Sequence, residues 1–146
     1  MEFHKILVPV IGTEADENAI KLACGFAKKA KSKIWAVYVI ALKRAVPLEA
    51  EIESEITQAE TVLDHMEDIA GEENCPIETD VLQAREVGPA IVDEAVERDV
   101  DLVLMGVAYK TRFGQFTLGE VVPYVLKNAP CRVLLFRQPI PDRAAL

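Results

Sequence analysis

The chain has 146 residues, enough for one domain with its own core; 51% hydrophobic and 27% charged residues make it globular rather than disordered. A formal net charge of −8 disfavours nucleic acid as a partner, because binding a polyanion needs a basic face that exchanges counterions. A solvated acidic surface explains the charge, and a small nucleotide held by a few local groups stays compatible with it.

The opening Met-Glu-Phe-His-Lys runs straight into an apolar segment with no signal-peptide pattern, so a cytoplasmic location is expected. That segment, Lys5–Val10, has the continuous apolar character of a parallel strand covered on both faces. A helix follows, with Ala19, Leu22, Ala23, Phe26, Ala27 and Ala30 on one stripe, and Thr13 with Asp16 forms a capping box at its start. The second strand, Ile34–Ala41, lies in the longest apolar stretch, which ends at Leu42 and is too short to enter a bilayer as a span. A second helix is predicted over about Leu48–Ala70, with Ile52, Ile56, Ala59, Leu63, Met66 and Ala70 at helical spacing.

Ile77–Leu82 is a more polar strand, as expected nearer a sheet edge, and the third helix opens at Gly88-Pro89 with proline in its favoured first position. Leu102–Met105 and Arg132–Phe136 are the fourth and fifth strands, separated by a long connection and a helix from about Glu120 to Asn128 that Pro130 stops. Pro123 has no N–H, which places the helix start near Gly119 or Glu120; Thr117 with Glu120 spells a competing capping box three residues earlier. The fold class is therefore α/β: an open, doubly wound, five-stranded, mostly parallel sheet with helices on both faces. Residues 1–138 make one domain, and 139–146, with prolines and no periodicity, read as a loose tail.

In such sheets ligands bind beyond the carboxyl ends of the strands where strand order reverses, which directs attention to Pro9–Thr13 and Gly106–Glu120. Neither GxGxxG nor GxxxxGK followed by Ser or Thr occurs, so a dinucleotide fingerprint and a P-loop are both missing. The connection Gly106–Glu120 is long, carries glycines and the cations Lys110 and Arg112, and leads into a helix N-terminus. It reads either as an anion seat or as a surface loop whose glycines serve only for turning. Without periodicity it should be mobile unless a ligand or partner covers it, or unless Phe113 and Phe116 close over the cleft. Cys24, Cys75 and Cys131 are far apart and unpaired with His4 or His65 at metal spacing, so no metal site is expected and three reduced thiols fit the cytosol. Glu14, Asp16 and Glu17 cluster where helix starts favour acids, and no acid–base or nucleophile–base pair suggests catalysis.

Lys5–Thr13, Asp101–Gly106, and the segments Leu118–Val122 and Asn128–Leu134 resemble the first strand, fourth strand and last helix–strand unit of the universal stress protein family, in order along essentially the whole chain. The resemblance implies sheet order 3-2-1-4-5, a homodimer through the last strand, Arg132–Phe136, and in many members an ATP site between the first and fourth strands. ATP-binding members resemble the spacing G-x2-G-x9-G-S/T with an Asp after the first strand. Here Gly106 and Gly119 hold the outer glycine positions, while Tyr109, Glu120 and Ile11 replace the second glycine, the Ser/Thr and the Asp. Each departure works against a triphosphate with magnesium: Tyr109 blocks close backbone approach, Ile11 removes a carboxylate, and Glu120 puts an acid among helix-start N–H groups.

Pro9, Val10 and Val39 match the family's base pocket, and Gly106 a position near sugar and phosphates. The candidate set is completed by Ile11, Met105, Ala108, Arg112, Gly119, Glu120 and Val121. The expectation is a non-enzymatic regulatory or stress-response domain that binds AMP or another adenine nucleotide weakly. Two alternatives stay open: an ATP-binding protein with slow ATPase activity using Gly106, Gly119 and Arg112, and a regulatory module of a membrane transporter. The second arises because Arg112–Gly119 and Val122–Val133 resemble stress-protein modules at the cytosolic carboxyl ends of some amino-acid permeases and antiporters.

Overall fold

A computed structural model describes residues 1–141; 142–146, the end of the expected tail, lie outside the described residues. The chain alternates β1 (Lys5–Pro9), α1 (Glu14–Ala30), β2 (Lys33–Ala41), α2 (Glu53–Glu72), β3 (Glu78–Ala84), α3 (Val87–Glu97) and β4 (Leu102–Val107). A small hairpin, β5 (Thr111–Arg112) and β6 (Gln115–Phe116), precedes α4 (Val121–Asn128) and β7 (Arg132–Arg137). The main sheet has the order β3-β2-β1-β4-β7 and every pairing in it is parallel.

The central strands β1, β2 and β4 are apolar along their buried stretches because their alternate residues serve opposite layers. Ile6 and Val8 of β1, Ile34 and Ala36 of β2, and Leu102 and Leu104 of β4 pack with α1 and α2 through Ala19, Ile20, Leu63 and Met66. Leu7, Trp35, Val37, Val103 and Met105 face the other way, against Ile91 and Ala95 of α3 and Val122 and Val125 of α4. Thr13 caps α1 in a reciprocal box with Asp16, as its sequence predicts, and Lys31 closes the helix in the left-handed conformation. No helix among the described residues is long and apolar enough to cross a membrane.

Two sequence expectations need correction. The second helix starts at Glu53 rather than Leu48. Gln83 donates to the carbonyls of Leu48 and Ala50, and Arg85 to those of Lys43 and Val46, so the preceding backbone is held by the end of β3 and not free to coil. The connection after β4 is not without regular structure. Thr111 pairs with Phe116 and Arg112 with Gln115, around a two-residue turn in which Phe113 and Gly114 both have positive φ, 53° and 76°. That is the backbone of a tight hairpin turn, which glycine adopts freely and phenylalanine reluctantly. The base of the hairpin is an aromatic stack, Tyr109 on Phe116 at 5.2 Å, with the Arg137 guanidinium 5.4 Å and 5.8 Å from the two ring centres. Neither phenylalanine closes the cleft: Phe113 is 92% exposed at the tip, and Phe116 is engaged with Tyr109.

Candidate functional site

β1 lies between β2 and β4, so the sheet order turns at the β1–β4 pair. The chain leaving β1 enters α1, on one face, whereas the chain leaving β4 reaches α4, on the other. The diverging connections open a cleft of about 410 Å³ beyond the strand ends. Its inner wall is apolar, built from Pro9, Val10, Val37, Val39, Ile91 and Met105. The rim is polar, with Thr13, Lys110, Thr117, Gly119 and Glu120.

The structure brings most of the sequence candidates together here. Pro9, Val10, Ile11 and Val39 line the cleft from β1 and β2, Met105, Gly106 and Ala108 from β4, and Gly119, Glu120 and Val121 from the start of α4. Arg112 is placed elsewhere: it lies in the hairpin, with its guanidinium 5.3 Å from the exposed Phe113 ring, and Lys110 is the cation that lines the cleft. The proline reading of α4 holds, since the N-cap is Glu120 and Pro123 falls in the first turn. Thr117 is used differently from a cap: its Oγ accepts the Gly119 N–H at 3.1 Å.

Sequence reasoning placed Asp16 in the first helical turn but not in the site. The residue is 4% exposed, and its Oδ2 accepts the N–H groups of Ile11, Gly12 and Thr13 at 2.8, 3.0 and 3.1 Å. Three donors converging on one carboxylate oxygen fix the turn after β1, and occupy the amides that would otherwise face an anion. Gly106 also has a role that spacing does not reveal. A Cβ there would lie 2.2 Å from the Ala15 carbonyl oxygen, 2.5 Å from its carbon and 2.9 Å from the Asp16 nitrogen. Glycine is required because β4 and the first turn of α1 touch backbone to backbone, so the side chain has no room. Gly119 instead has open space around it and a positive φ of 68°, so there the backbone conformation is what favours glycine.

The wall from α3, including Val87 and Ile91, also went unrecognised, since an apolar helix position carries no mark separating cleft from core. Among the described residues no group of three His, Cys, Asp or Glu side chains could hold a metal ion. The cysteines lie away from the cleft. Burial first, then the neighbouring Cys75 thiol, pushes the Cys24 thiol well above its ordinary value, and burial raises Cys131, so neither is a ready nucleophile at neutral pH.

An open parallel sheet with an apolar, polar-rimmed cleft at its switch point is the general layout of the doubly wound α/β domains. The sequence model of the universal stress protein family matches residues 2–137, and the chain belongs to that family. A universal stress protein of Methanocaldococcus jannaschii is 32% identical over 143 residues, covering 94% of this chain and 84% of the relative. Among solved structures, a universal stress protein from Archaeoglobus fulgidus superposes with a TM-score of 0.77 at 21% identity, covering 90% of this chain and 97% of that one. A structure of the universal stress protein from the same organism in complex with dAMP gives 0.71 at 21% identity, covering 92% and 98%.

Proposed function

We propose that this chain is a non-enzymatic, dimeric regulatory domain whose cleft holds an adenine nucleotide such as AMP. The observation that carries this reading is the cleft itself: an apolar inner wall of a size suited to a purine, with a polar rim and Lys110 at its mouth. The dAMP complex of a protein with the same fold supports an adenosine monophosphate as the ligand. The two carboxylates of the wall favour a binding role over a catalytic one. Asp16 is held by three backbone donors on its Oδ2, and Glu120 stands at a helix start where its side chain makes no capping hydrogen bond. Titration calorimetry should give a Kd for AMP of about 0.1 mM, roughly −5.5 kcal/mol, with one site per chain. No heat and no thermal stabilisation at several millimolar AMP would reject the reading.

The dimer reading rests on β7. It is an edge strand, paired on one side only with β4, and leaves Phe136 41% exposed. An apolar unpaired edge is normally covered, and pairing with a second copy about a two-fold axis covers both at once. Sedimentation at tens of micromolar should show a dimer, and Phe136→Lys, at an exposed position of β7, should shift it to a monomer while the circular dichroism stays that of a folded α/β domain. A wild-type monomer at that concentration would contradict the assignment.

A further inference from the structure

The reading of the cleft as an adenine-nucleotide site leaves open how many phosphates it accepts. Its wall carries one cation, Lys110, against two carboxylates, Asp16 and Glu120. Four backbone donors around the cleft are already committed. Asp16 takes the N–H groups of Ile11, Gly12 and Thr13, and the Thr117 hydroxyl takes that of Gly119. The first turn of α4 still offers Val121 and Val122, but Pro123 supplies no donor, and Glu120 puts its own carboxylate at that end of the helix. The cations nearby point away: Arg112 sits over Phe113, and Arg137 over Tyr109 and Phe116.

Resting on that reading of the cleft, we propose that Lys110 and Glu120 set the ligand's phosphorylation level, Lys110 holding a single phosphate and Glu120 rejecting a second and third. One phosphate can meet the Lys110 ammonium and the two free α4 amides. Each further phosphoryl group adds negative charge for which the wall has no second cation, beside the Glu120 carboxylate. The wall thus ranks adenine nucleotides by charge, with AMP above ADP and ADP above ATP. Glu120 is a specificity residue here, acting by repulsion rather than by a contact.

The test is calorimetry with adenosine, AMP, ADP and ATP, with and without magnesium, on the wild type, Glu120→Gln and Lys110→Gln. Both positions are exposed, so neither substitution threatens the fold. The wild type should bind ATP at least tenfold more weakly than AMP. Glu120→Gln should tighten ATP at least tenfold and leave adenosine within twofold, and Lys110→Gln should bring AMP down to the level of adenosine. Adenosine and AMP binding with ATP equal to AMP, or an ATP-to-AMP ratio unmoved by Glu120→Gln, would overturn this inference alone. Failure of every ligand, adenosine included, would overturn it together with the nucleotide reading.

Discussion

Gly106→Ala should destabilise the protein by roughly 2–4 kcal/mol, a large effect for one added methyl group. The new carbon would sit 2.2 Å from the carbonyl oxygen of Ala15, well inside contact distance, and all three of its nearest neighbours are backbone atoms of α1. A flexible side chain could swing away; a helix start cannot. Relief requires α1 to retreat from β4, which loosens Ile20 and Ala23 against Leu102 and Leu104 across that layer. Thermal melts should show a fall of roughly 8–15 °C. AMP binding should weaken as well, because the same retreat moves Asp16 and the turn it holds. A melt within about 2 °C of wild type would mean that β4 and α1 have more slack than their contact suggests.

Asp16→Ala should cost about 2–4 kcal/mol, again far more than a typical surface change. The substitution strands the N–H groups of Ile11, Gly12 and Thr13 in a partly buried turn and leaves the capping box with only the Thr13 half. Hydrogen bonds to a charged acceptor contribute more than neutral ones, and the unmatched donors add their desolvation cost. Asp16→Asn keeps an acceptor without the charge and should lose about half as much. Chemical denaturation of the two variants checks the order. If both match the wild type, the turn after β1 is held by something other than this carboxylate.

Both effects fall on residues whose importance was only partly legible in the sequence. The central strands were readable because a strand covered on both faces is apolar at successive positions, as Ile6-Leu7-Val8 and Leu102-Val103-Leu104 are, and β3 was readable as the more polar strand of a sheet edge. The Thr13–Asp16 box was readable as a helix start, but the two amides that Asp16 gathers beyond the box, from Ile11 and Gly12, depend on how the turn doubles back. Gly106 stood at a recognisable spacing for a reason that spacing cannot express, the proximity of a helix 90 residues earlier in the chain. The start of α2 was misplaced because the groups holding residues 43–50 in turns, Gln83 and Arg85, lie beyond the helix itself. The hairpin was missed because two-residue strands have no periodicity, and Phe113-Gly114 lacks the Asn or Asp that usually marks such a turn. Arg112 was named as the site cation and Lys110 was not, and the hairpin reverses that choice, turning Arg112 onto Phe113 and leaving Lys110 at the cleft.

Titration of the isotopically labelled protein with AMP, followed by amide chemical shifts, tests the central claim most directly. At about 5 mM AMP, some fifty times the expected Kd, the account predicts saturating shifts concentrated at Val10, Val39, Gly106, Lys110 and Val121, the residues that wall the cleft between β1 and β4. A second groove lies between α1 and the end of β7, where Lys21 and Arg137 flank Phe136 and could attract a phosphate by charge alone. Shifts confined to Lys21, Phe136 and Arg137, or none at all at that concentration, would contradict the account.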